Sequence, residues 1–120
     1  LRLRLVARAA TWRPTARVDS TVTVVAFAEE GGAPRIPGPL LRAHAGAAVR
    51  VSVRNALDST LVVHGLRGGT GIAAADDTLH LAPGAEREVA FRAGAPGTYL
   101  YWGTTTRSPL ADRPWRDSQL

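Results

Sequence analysis

The sequence predicts an all-β domain, an antiparallel Greek-key β-sandwich of about seven strands, and three observations carry that reading. Apolar and polar residues alternate over short stretches, Gly and Pro punctuate the chain between them, and no stretch makes a convincing helix. With 120 residues, 45% of them apolar, the chain holds material for one modest core, and a single domain over 1–120 is expected.

Leu1, Leu3 and Leu5 alternate with Arg2 and Arg4, giving a first strand with one apolar and one charged face. The β-branched stretch STVTVVAFAEE over 20–30, closed by Gly31 and Gly32, is the second. Pro37-Gly38-Pro39 then holds an extended path into AAVRVSVRN, where Val49, Val51 and Val53 face one way and Arg50, Ser52 and Arg54 the other. The nearly all-apolar STLVVHGL suits a strand covered on both sides, and RGGTGIAAADD after it reads as a loop. A short strand is expected over 78–81, and another over 86–92 with Val89 and Phe91 inward. The turn Ala95-Pro96-Gly97 delivers the chain into an aromatic strand over 98–102. Beyond Gly103 the text is loop-like, with room for a helical turn over 110–115.

Composition removes several classes of function. Without cysteine there can be no disulfide, thiolate metal site or cysteine nucleophile. A blue single-copper site, which needs a cysteine thiolate and commonly a methionine, cannot be built from a chain lacking both. The net charge of +5 comes from fifteen arginines and no lysine, spread from Arg2 to Arg116 without a cluster, so solvated charge rather than a nucleic-acid face is expected. No apolar run reaches the length of a membrane span, and no signal peptide is visible in LRLRLVARAA. No serine has the setting of a nucleophile, and GLRGGTG lacks the helix start of a phosphate loop.

Several segments together resemble the first plastocyanin-like, or cupredoxin, domain of the laccase-like multicopper oxidases. They are IPGPLLRAHAG, VRVSVRNAL, VVHGL, LAPGAEREVAFRAGAPGTYLYW and RDSQL, in that order, covering 34–120. The resemblance implies a cupredoxin-like sandwich, copper as cofactor, oxidoreductase chemistry, an extracytoplasmic location and a second cupredoxin domain as partner, in the same polypeptide or another subunit. It also implies a longer multidomain protein, with a final sandwich strand that the sequence does not contain. An open sheet edge left by that strand would be a route to a homo-oligomer.

In that family the domain supplies four histidines to a three-copper cluster, two from His-x-His-Gly and two from a His-x-His after the Gly-Thr-Tyr turn. Alternate residues on a strand point the same way, so each pair sends two imidazoles to one face. Laid on this sequence, the first pair falls on Val62 and His64 and the second on Trp102 and Thr104. Only His64 keeps a metal donor. Valine has none, the indole nitrogen only donates hydrogen bonds, and a neutral hydroxyl is a poor copper ligand beside imidazole.

His64 is thus the one candidate metal ligand, against the alternative of an imidazole held by a carbonyl or hydroxyl; no catalytic residue is identified. Tyr101, Trp102 and Thr104 are candidates for a pocket wall, with packing as the competing role of Trp102. His44 and His80 lack ligand-spaced partners, apart from Asp76 and Asp77 before His80. Thr104 to Thr106 with Arg107, Asp112, Arg113, Arg116 and Asp117 form the most polar region, either an anion site or a loop held by its own pairs. The expectation is a domain that binds no copper alone and has a structural or pocket-forming role. The alternatives are copper-dependent oxidation in the full-length protein with His64 as residual ligand, and a small-ligand or saccharide-binding module.

Overall fold

The computed structural model describes residues 1–13, 21–67, 77–117 and 120. Ser20, Asp76, most of the loop RGGTGIAAADD, and Ser118 and Gln119 of RDSQL lie outside them. Seven strands are found among the described residues: β1 (Arg2–Trp12), β2 (Val22–Glu29), β3 (Ala48–Asn55), β4 (Leu61–His64), β5 (Thr78–Leu81), β6 (Glu86–Arg92) and β7 (Trp102–Thr104). They form a four-stranded sheet in the order β2-β1-β3-β6 and a three-stranded sheet in the order β5-β4-β7. The chain crosses between the sheets from β3 to β4 and back from β5 to β6, as a Greek-key sandwich requires. No helix among the described residues is long and apolar enough to span a membrane.

Alternation explains which face each strand buries. Leu5 and Ala7 of β1, Val25 and Phe27 of β2, and Val49, Val51 and Val53 of β3 meet Leu61, Val63 and Leu81 of the second sheet in one core. Full burial of a Val, Leu or Phe side chain stabilises by about 1.5–3 kcal/mol, so this layer supplies the main driving force. The arginines at intervening positions stay outside, where Arg4 pairs with Glu30 at 2.9 Å and Arg50 with Glu88 at 2.8 Å. Such exposed pairs add little each.

Three details differ from the sequence expectation. β1 continues to Trp12 because the whole stretch from Leu5 to Trp12 pairs antiparallel with β2. β1 and β3 pair in parallel, since β2 and a long connection lie between them in sequence, and this is the one parallel ladder among the described residues. The aromatic strand begins at Trp102, four residues later than expected. Tyr101 instead turns its ring onto Phe27, 5.4 Å between centroids, and donates its hydroxyl to the Pro39 carbonyl at 2.7 Å. The helical turn is a 3₁₀ turn over Leu110–Asp112.

The free edge of β2 is partly covered: Arg35 donates its amide to the Phe27 carbonyl, and the Val25 amide reaches the Arg116 carbonyl. A second polar device is Asn55, fully buried at the end of β3. Its Nδ2 donates to the carbonyls of Ser59, Leu81 and Ala82 at 2.9, 3.0 and 3.2 Å, and its Oδ1 accepts from the Leu57 amide at 3.0 Å. One side chain thereby ties the crossing into β4 to the end of β5. Asn55→Ala is expected to lower stability by about 1–3 kcal/mol, because buried backbone groups lose their partner. Urea unfolding measures this, with an unchanged midpoint counting against the role.

Candidate functional site

The site is the outer face of the three-stranded sheet. β4 pairs with β7 so that Val62 lies opposite Thr104, Val63 opposite Gly103 and His64 opposite Trp102. On the other side, Val62 faces His80 and His64 faces Thr78. Because Leu61, Val63 and Leu81 point into the core, alternation turns Val62, His64, His80, Thr78, Trp102 and Thr104 to the outer face together. The sheet therefore gathers the four positions the sequence singled out into one two-by-two patch. Val62 and Thr104 are buried, and His64 and Trp102 are half-buried.

Glycine conditions hold this patch in place at two points. Gly65, directly after His64, has φ of 77°, and a Cβ there would strike the Leu100 backbone. Gly103 sits over the core, where a Cβ would lie 3.2 Å from atoms of Leu120, Leu61 and Phe27.

The patch is closed by stacking. The His64 ring lies on the Trp102 ring, 4.2 Å between centroids and 22° from parallel, and His64 Nδ1 is 3.2 Å from Thr78 Oγ1. The Arg113 guanidinium lies 5.3 Å from the Trp102 centroid, a cation–π distance. Its Nη1 donates to the carbonyls of Gly103, Asp117 and Leu120 at 3.1, 3.1 and 2.8 Å, while its buried Nε has no partner. Burial holds the His64 pKa below 6.5, and His80 pushes in the same direction against the opposing pull of Asp77. The ring is thus neutral near pH 7.

Thr104 is committed to a different partner. The Asp117 carboxylate, fully buried, accepts from Thr104 Oγ1 at 2.8 Å, the Thr105 amide at 2.6 Å, Thr105 Oγ1 at 2.7 Å, and the Thr106 amide and Oγ1 at 3.2 Å each. Burial alone would raise its pKa, but these donors outweigh burial and hold it below the ordinary 3.8. The polar region read from the sequence as an anion site or a self-paired loop is thus built around its own carboxylate. Arg116 reaches Asp58 at 3.4 Å, and Arg113 donates to carbonyls rather than to a carboxylate. The composition of the cluster was readable; the organising role of Asp117 was not, because it depends on an end-of-chain segment folding back onto β7.

Tyr101 faces inward and lines a cavity against the four-stranded sheet, whereas Trp102 and Thr104 do not line it. His44 is exposed, as is His80. Among the described residues, no group of three or more His, Cys, Asp or Glu side chains is placed to hold a metal ion.

The multicopper oxidase family model matches residues 10–111. The chain belongs to the multicopper oxidase family. A multicopper oxidase from Campylobacter jejuni, described as a metallo-oxidase, is similar in structure with a TM-score of 0.61 and 16% sequence identity over 85% of this chain and 21% of that one. A multi-copper oxidase from Pediococcus acidilactici gives a TM-score of 0.59 and 18% identity over 85% of this chain and 20% of the other. This multicopper oxidase chain thus spans about a fifth of the length of those proteins. None of the curated proteins compared with it matches.

Acid should unfold the domain in two stages with the same sign. Below pH 6.5 the unfolded chain takes up a proton that folded His64 resists, so stability falls as the pH drops toward the folded value. Below 3.8 the same holds for Asp117, whose contribution is complete above that pH and lost through its lower folded value. Urea midpoints against pH should lose the first limb in His64→Gln and the second in Asp117→Asn. Asp117→Asn should also cost about 2 kcal/mol at pH 7, since charge-assisted hydrogen bonds are lost. Superimposable profiles for wild type and variants would contradict this account.

Proposed function

We propose that this chain is a cupredoxin domain that keeps the scaffold of its family but has given up most ligands of the three-copper cluster on this half. Its role is structural: it packs against, and shapes the pocket of, a second cupredoxin domain. The observation that carries the proposal is the register of β4 against β7, which assembles Val62, His64, Trp102 and Thr104 into one patch containing a single imidazole. That imidazole is stacked on an indole, and the hydroxyl of Thr104 is spent on Asp117.

The donor set does not fit a multinuclear copper centre. Copper(II) favours several imidazole nitrogens, and valine, an indole N–H and a hydrogen-bonded hydroxyl do not replace them. The Arg113 guanidinium against Trp102 adds a positive charge where a metal cation would be repelled. No oxygen-reduction step is therefore assigned to these residues. The structural neighbours, each about five times longer than the matched region, support the reading that other domains accompany this one. Family membership supports an extracytoplasmic location.

Copper measured per polypeptide on the intact protein, by mass spectrometry and electron paramagnetic resonance, tests the proposal. His64→Ala is expected to leave copper content and spectrum unchanged. Loss of one or more copper equivalents in that variant would make His64 a ligand and overturn the structural reading.

A further inference from the structure

Against the four-stranded sheet, and bounded by the segments 40–45, 65–67 and 93–101, lies a cavity of about 490 Å³ that is open to solvent. That volume is within the range of about 300–1,000 Å³ typical of small-molecule sites. Its floor is the four-stranded sheet, through Leu3, Val49, Val51 and Phe91, and its sides include Leu66 after β4 and Tyr101 before β7. Tyr101 contributes ring rather than hydroxyl, since its Oη is already bonded to Pro39.

The mouth differs from the floor in charge. Arg42 and Arg67 both line the cavity, both are exposed, and neither guanidinium has an ion-pair or hydrogen-bond partner among the described residues. No Asp or Glu is among the lining residues that the structure describes. Asp77 comes near, but its carboxylate accepts from the Arg67 main-chain amide, at 3.1 and 3.3 Å. Arg4, Arg50 and Arg116 meet carboxylates and Arg8, Arg92 and Arg113 meet carbonyls, while Arg2, Arg13, Arg35, Arg54, Arg87 and Arg107 have no side-chain partner among the described residues either; what sets Arg42 and Arg67 apart is that both line this cavity. A largely apolar slot of ligand size lined also by two exposed, unpaired arginines complements an apolar tail ending in a single carboxylate.

We infer that this cavity is a binding site for an aliphatic monocarboxylate of medium chain length, with the tail against Leu3, Val49, Val51 and Phe91 of the four-stranded sheet and the carboxylate at Arg42 and Arg67. Guanidinium forks match carboxylate geometry, and apolar walls reward each methylene removed from water. The inference is independent of whether the domain binds copper.

Titration calorimetry of the intact protein with hexanoate, octanoate, decanoate and 1-octanol reads the site directly. Affinity should rise roughly fourfold per methylene until the slot is filled. Octanoate should bind about tenfold more tightly than 1-octanol, the neutral control, because only the acid engages the guanidiniums. The double variant Arg42→Gln/Arg67→Gln, at exposed positions where folding is checked by circular dichroism, should erase that preference. Ala45→Trp, an exposed wall position, should weaken every ligand of the series. Absence of saturable binding, equal affinity for octanoate and 1-octanol, or octanoate binding that survives the double variant would each overturn the assignment.

Discussion

Position 103 leaves a side chain little room, since a Cβ there would crowd three core side chains at 3.2 Å, and the arrangement of the outer face follows from that close packing. A Cβ at Gly103 would press on Phe27 from one sheet and on Leu61 and Leu120 beside it. β7 can therefore approach the core closely only with this residue inward. Once Gly103 is inward opposite Val63, alternation sends Trp102 and Thr104 outward beside His64 and Val62. A shift of one residue would drive an indole or a threonine into the core and carry the glycine to the surface. The patch is thus a by-product of core packing on the opposite side of a three-residue strand.

A strand that short cannot hold its own position by ladder hydrogen bonds, so polar side chains do it. Asp117 draws the three consecutive threonines after Gly103 onto a buried carboxylate, and Arg113 fastens the same turn through the carbonyls of Gly103, Asp117 and Leu120. Asn55 performs the corresponding task at the other crossing, between β3 and the end of β5. In each case the buried polar group is valuable because it serves several backbone partners at once; leaving them unsatisfied would cost more than the group gains.

The strands were legible where the period-2 pattern is clean. Val49, Val51 and Val53 announce β3, and β5 and β6 fall at the expected residues. β7 was misplaced because its signal, a run of aromatics, belongs partly to Tyr101, which packs on Phe27 from outside the ladder. The parallel pairing of β1 with β3 depends on which strands meet in space, and no local pattern encodes it. The spacing of Val62, His64, Trp102 and Thr104 could be read from the sequence through a family resemblance, whereas the stacking of His64 on Trp102 needed the register. Asn55 and Asp117 went unnoticed as organisers because a single Asn or Asp carries no periodicity; their roles come from the carbonyls and hydroxyls that distant segments bring to them.

The residues of the outer face are also coupled to one another. An imidazole at position 104 could not supply the short hydroxyl contact to Asp117, and the loop carrying Thr105 and Thr106 would lose one of its anchors. An imidazole at position 102 would offer Arg113 a smaller ring than indole, the best of the aromatic cation–π partners. Arg113, in turn, holds the segment that brings Asp117 to the threonines. Threonine at 104, tryptophan at 102, Arg113 and Asp117 therefore form one self-consistent set: each stabilises the geometry that the others need. An imidazole introduced singly at position 102 or 104 would disturb that network at the stacking or at the hydroxyl contact.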